Sequence, residues 1–185
     1  MHVAVALLGP VQVRLDGTVM PLPSLPQRIL LARLALAPGR VVGVGELLDC
    51  LWGDGPPANS LGNLQSYVSR LRRVLGSGLI AREGSGYRLD LAAEQVDVGE
   101  VQQYADQARA AVGQQPGLAA ARFGQALGHW RGEALADLAD RLAFAPDRVR
   151  LAEWRRQLRD EWFAARLAAG ELAELLPELE QAAVA

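Results

Sequence analysis

Between Asn59 and Leu91 the chain changes its hydrophobic rhythm once, and sharply. Leu61, Leu64, Val68, Leu71 and Leu75 recur at intervals of three and four, a spacing that gathers apolar side chains on one side of an α-helix. At about 100° per residue, Asn59, Gly62, Asn63, Ser66, Ser69, Arg70 and Arg73 fall on the opposite side, with Gln65 and Arg72 at the edge. Leu79, Ile80 and Arg82 then run into Gly84-Ser85-Gly86, and Tyr87-Arg88-Leu89-Asp90-Leu91 leaves with period two. That predicts a β-hairpin.

Upstream, Val3 to Leu8 and Val11 to Leu15 read as strands, and Asp16-Gly17 supplies a tight turn into Thr18-Val19-Met20, so a small antiparallel sheet is expected. Pro26 suits the first turn of a helix whose Ile29, Leu30, Leu34 and Leu36 pack inward, and Pro38-Gly39 ends it. Val41 and Val42 form an extended link. A second helix buries Val44, Leu47, Leu48, Leu51 and Trp52 before Gly53, Gly55, Pro56 and Pro57 break it. The resulting order is sheet, helix, helix, cationic helix, hairpin, which is that of a winged helix with an N-terminal sheet.

The second half is patterned as helices throughout. Val98, Val101, Tyr104, Ala105 and Ala108 mark one, and Leu118, Ala121, Phe123, Ala126, Leu127 and Trp130 another. Pro146-Asp147 opens a third that turns Leu151, Trp154, Leu158, Trp162, Ala165 and Leu167 inward and closes at Gly170. Glu171 to Ala183 is expected to turn back as a shorter leucine-rich helix. The pair joined at Ala169-Gly170-Glu171 resembles a tetratricopeptide unit. Stacked helix pairs need neighbours, so an exposed apolar surface on the last helices, or a dimer that covers it, is expected.

The polar face of the cationic helix suits the DNA major groove. Short side chains allow close approach, hydrogen-bonding groups meet base edges, and guanidinium groups meet phosphates. The base-edge candidates are Gln65, Ser66, Ser69 and Arg70; Arg72 and Arg73 would hold phosphates, with Arg28 doing so from the first helix. Arg82, Ser85 and Tyr87 would position the wing.

Charge sharpens this division. The formal net charge is −2 over 185 residues, yet residues 1–92 hold nine arginines against six acidic residues, a net of +3, while residues 93–185 hold ten against fifteen, a net of −5. A basic half and an acidic half are thus hidden in a near-neutral total. A seam is expected near Ala92 to Gln95, giving a DNA-binding domain over 1–92 and a helical domain over 96–185.

Taken in order, PQRILLARLALAPGRVVGVGELLDCLWGDGPPAN, LQSYVSRLRRVL and GYRLD resemble the Streptomyces antibiotic regulatory proteins, whose DNA-binding part is an OmpR/PhoB-type winged helix. ALGHWRGEALADLAD with the long helix after it resembles the bacterial transcriptional activation domain of that family, which there continues through further helix pairs, so this chain is either a fragment or a short member. The resemblance implies that Gln65 to Arg73 lie in or beside the major groove and Arg82 to Tyr87 form the wing near the minor groove. It further implies two protomers, a dimer on double-stranded DNA, bound head to tail on tandem direct repeats, together with recruitment of RNA polymerase holoenzyme and control of an antibiotic gene cluster. Pro26 stands where a lysine is common in the family, and Leu61-Gly62-Asn63 where longer polar side chains are usual.

Catalytic readings fare poorly. His2 and His129 lack companions at metal-ligand spacing, and Cys50 is the only cysteine, so a buried thiol in a reducing, cytoplasmic and nucleoid-associated setting is expected. Gly84-Ser85-Gly86 lacks the ending of a phosphate loop. Neither catalysis nor a cofactor is expected, and the apolar start of the chain ends at Gly9-Pro10, too short to span a bilayer. The rival reading is a protein-interaction module in which the winged helix is a scaffold and the acidic half binds a partner.

Overall fold

The computed structural model describes residues 2–171. Val3–Ala6 (β1), Gln12–Leu15 (β2) and Thr18–Met20 (β3) form an antiparallel sheet in that order. Asp16 and Gly17 take φ values of 46° and 84°, the two positive angles that a tight two-residue hairpin requires.

Leu25–Ala35 (α1) is the centre of the first half. Its Ile29, Leu30, Leu31, Ala32, Leu34 and Ala35 are all buried, so the helix is surrounded rather than laid on a surface, and the one-sided face expected from sequence is too narrow. Val41–Gly43 (β4) leads into Val44–Trp52 (α2), which buries Leu47, Cys50 and Leu51, with Val44, Leu48 and Trp52 only partly covered. Ser60–Leu75 (α3) is the cationic helix, and Ile80–Glu83 (β5) with Gly86–Leu89 (β6) makes the hairpin. The expected link at Val41-Val42 is in fact a third strand: β4 pairs with β6, and the sheet order is β4-β6-β5. This pairing joins residues more than forty positions apart, which local periodicity does not register. Gly86 makes it possible, because a Cβ there would stand 2.3 Å from the Val42 carbonyl oxygen.

In the second half, a 3-10 turn over Ala93–Gln95 precedes Asp97–Ala111 (α4), Pro116–Leu127 (α5) and Ala145–Ala168 (α6). Helices α4, α5 and α6 pack in sequence, and Val101, Ala105, Ala108, Phe123, Ala126, Leu151, Leu158 and Ala165 form their shared core. Three residues expected in that core are exposed: Leu118, Ala121 and Leu167. Ala119 and Ala120 occupy the inward side of α5 instead. Gly170 closes α6 at φ 86°. The expected helix from Glu171 to Ala183 lies, beyond Glu171 itself, outside the described residues. Among the described residues, no helix is long and apolar enough to cross a membrane.

The two halves share material at their joint. Segment 7–11, expected to be strand at both ends, is held by the helical half. The Asp97 carboxylate accepts the Leu7 N–H at 2.8 Å and the Leu8 N–H at 2.9 Å. The Leu7 and Leu8 carbonyls in turn accept from Leu135 and Arg131 N–H at 2.9 and 2.8 Å. The Asp137 carboxylate accepts Val11 N–H at 2.9 Å, and Val5 bridges Val96 in parallel. Hydrophobic packing crosses as well: Val96, Leu135, Leu138 and Phe144 belong to the core of the first half, while Leu8 belongs to that of the second. The Leu7 and Leu8 N–H groups are buried there, and their partner comes from the other half.

Candidate nucleic-acid interface

Helix α3 is held from beneath by Leu64, Val68, Leu71 and Leu75, each at most 1% exposed. Leu61, expected in the same stripe, is 54% exposed, because the first turn of α3 projects past the edge of the core. On the other side Gln65, Ser66, Ser69, Arg70 and Arg73 are all exposed, and with Gly62 they line one shallow concavity. Among the described residues, none of the acidic half lines it. Ser66 Oγ donates to the Gly62 carbonyl at 3.0 Å, a back-bond that leaves its lone pairs facing outward. The Asn59 side chain packs against the bare Cα of Gly62, where a Cβ would meet it at 2.5 Å; so glycine, a poor helix former, is suited to this turn.

The arginines divide into two kinds. Arg72 Nε donates to the Ile80 carbonyl at 2.9 Å, tying the end of α3 to the first strand of the wing. Arg28 donates from Nη1 to the Leu22 carbonyl at 2.7 Å, and its Nε stands 2.8 Å from Asp137 Oδ2. That N–H is turned off the carboxylate, so the contact is Coulombic rather than a directed hydrogen bond. Arg28, expected on phosphate, is therefore occupied within the chain and faces the joint rather than the open face of α3. Arg33 lies nearby between Glu46 and Asp147. By contrast Arg70, Arg73 and Arg82 are exposed and make no ion pair among the described residues.

The wing separates in the same way. Arg82, Glu83, Gly84 and Ser85 are exposed at its tip, and Gly84 takes φ 54°. The Ser85 carbonyl accepts Val44 N–H at 2.9 Å, fastening the turn to the start of α2. Tyr87 is only 4% exposed and sits in the core, so it anchors the root of the wing and does not reach its surface. Arg88 is bound between Glu83 and Asp90. Its hydrogen bond holds the Asp90 carboxyl below the usual carboxylate range and pushes Arg88 further up, which leaves Arg82 as the unpaired cation of the hairpin.

One feature escaped the periodicity. Tyr67 lies at the border of the buried stripe, with its ring 6.3 Å from that of Trp52 and 6.0 Å from the Arg70 guanidinium carbon. Its spacing of three before Arg70 was the available signal. Cys50 is buried as expected, and burial raises its pKa to about 11, partly opposed by Arg33.

An aliphatically clamped helix with an open, arginine-bearing face, followed by a hairpin wing and backed by a helical domain, defines a regulator of winged-helix type. Comparison with known proteins agrees in both halves. Residues 24–89 match the family model described as "Transcriptional regulatory protein, C terminal", and residues 96–185 match "Bacterial transcriptional activator domain". The regulatory protein DnrI of Streptomyces peucetius is 35% identical, with 94% of this chain aligned to 68% of that protein. The regulatory protein AfsR of Streptomyces coelicolor is 40% identical over 94% of this chain, which spans only 18% of that relative's length. A solved structure of Mycobacterium tuberculosis EmbR in complex with a low-affinity phosphopeptide superposes with a TM-score of 0.92 at 32% identity, over 97% of this chain and 49% of that one. The chain belongs to the Streptomyces antibiotic regulatory protein family of transcriptional regulators.

Proposed function

We propose that this chain is a sequence-specific DNA-binding transcriptional activator that inserts α3 into the major groove and sets its wing against the neighbouring minor groove. The observation that carries the reading is the open polar face of α3, opposite a stripe of leucine and valine that is shut into the core. Gln65, Ser66, Ser69 and Arg70 contact base edges. Arg73 neutralises phosphate, as does the outer edge of Arg72, and Arg82 with Ser85 approaches the backbone from the wing. Arg28 acts at the joint between the halves instead. Protomers bind as a head-to-tail pair on direct repeats about 10–11 bp apart, one turn of the duplex. The helical half recruits RNA polymerase, and the regulated genes form a secondary-metabolite cluster; the family relationship is the support for both.

The test is selection of bound sites from random duplex DNA by the full chain, followed by a salt titration on the selected site. A repeated motif with one-turn spacing is expected, together with a linear fall of log affinity against log salt, of about −0.9 per phosphate contacted. Binding that ignores salt, or a selection that enriches no motif, would overturn the reading in favour of a protein-interaction module.

A further inference from the structure

Most arginines around the first half that are held in place are held by oxygen acceptors, which consume their N–H groups: Arg28, Arg33, Arg72 and Arg88 each end on a carboxylate or a carbonyl. Arg70 differs. Its contact is with a ring face, that of Tyr67, whose other neighbour is Trp52 at the end of α2. A cation held over an aromatic ring is attracted by the ring quadrupole and spends no N–H donor on an oxygen acceptor. An exposed arginine otherwise has rotamer freedom to lose on binding. Tyr67 is half-buried, and Val68 beside it is locked in the core, so the ring sits on fixed backbone. From Trp52 through Tyr67 to Arg70, the contacts run from the core to the open face of α3.

We propose that Tyr67 is a positioning residue that holds the Arg70 guanidinium edge-on for bidentate pairing with O6 and N7 of a guanine, making Tyr67 a determinant of sequence preference although it touches no base. This rests on the DNA-reading role of α3 proposed above. Guanine is the base whose major-groove edge offers two adjacent acceptors, and the guanidinium fork matches them. A ring contact takes up none of the N–H donors needed for that pair, whereas a carboxylate partner would have to be displaced first.

The test uses the full chain and a duplex carrying its selected site, with each base pair replaced in turn. In wild type one guanine position should depend on Arg70, shown by the loss of discrimination there in Arg70→Ala. Tyr67→Leu should lower discrimination at that same position by about two- to fivefold, with affinity for random duplex and the salt slope unchanged. Tyr67→Phe, which retains the ring, should behave as wild type. Trp52→Leu removes the ring behind Tyr67 and should relax the same position, giving a second route to the answer if Tyr67→Leu is unstable. Unchanged discrimination in Tyr67→Leu and Trp52→Leu, or an equal loss on selected and random DNA, would overturn the inference while leaving the DNA-reading role intact. A wild-type chain that selects no site would instead overturn the role itself.

Discussion

Arg70 and Arg73 lie three positions apart on the same exposed face of α3, yet their environments differ. Arg70 rests against Tyr67, whereas Arg73 lies in the last turn of the helix and makes no ring or ion-pair contact among the described residues. Arg70→Ala is expected to weaken binding to the cognate site by ~1–3 kcal/mol and to relax base preference; Arg73→Ala should lower affinity evenly on all sequences and reduce the salt slope by about one. Equal effects of both variants on every sequence, read by competition binding, would merge the two roles. Cys50 gives a residue-scale prediction of another kind. Its thiol pKa is raised to about 11 by burial, so folding favours the protonated form. The associated stability is complete below the ordinary thiol pKa and is lost as pH rises toward about 11. At pH 8 the native chain should react with a disulfide reagent only as fast as it unfolds, and rapid reaction in the native state would contradict this burial.

At the scale of elements, the wing depends on a strand that the residue pattern did not reveal. Strand β4 reaches β6 across α2 and α3, and the approach is so close at Gly86 that a methyl group would overlap the Val42 carbonyl. Gly86→Ala is accordingly expected to part β4 from β6 and to destabilise the chain by roughly 1–3 kcal/mol, the range for overpacking, with the DNA-binding loss exceeding that of Ser85→Ala. Thermal melts alongside binding measurements separate the two effects. Helix α3 is coupled to the same ribbon through the Arg72 to Ile80 hydrogen bond. Leu71→Ala, which hollows the core beneath α3, should cost about 2–5 kcal/mol by the usual measure of a buried leucine. The helix and hairpin were themselves legible in the sequence, since each is local and its period is set by its own backbone.

At the scale of the whole molecule, the acidic half does more than follow the basic one. Asp97 is 7% exposed and takes backbone N–H groups from Leu7 and Leu8; burial pushes its pKa up against the pull of those donors and of Arg131. Asp97→Ala would leave two buried donors without acceptors, a cost of roughly 2–4 kcal/mol. It should lower the melting temperature of both halves together, in one cooperative transition seen by calorimetry and by near-ultraviolet dichroism. Two separate transitions would contradict the shared joint. A fragment ending at residue 92 loses the partners of Leu7, Leu8 and Val11 along with Val96, Leu135, Leu138 and Phe144 from the core. It is expected to melt well below the full chain, which makes the full chain the proper material for DNA binding.

Periodicity alone determined that residues 60–75 would be a helix with an aliphatic underside and an arginine-bearing upper face, that a glycine-cornered hairpin would follow, and that the described part of the second half would be built on helices. These follow from bond geometry, which repeats every 3.6 residues in a helix and every two in a strand. What stands opposite a given face is a different matter, because it depends on residues far along the chain. Tertiary structure decided that Leu61, Leu118, Ala121 and Leu167 would remain in water, and that Arg28 would be drawn to Asp137 and Tyr87 into the core. It also decided that the apparent seam at residues 92–95 would be a fused joint: a side chain's direction is local, but its desolvation and its partner are not.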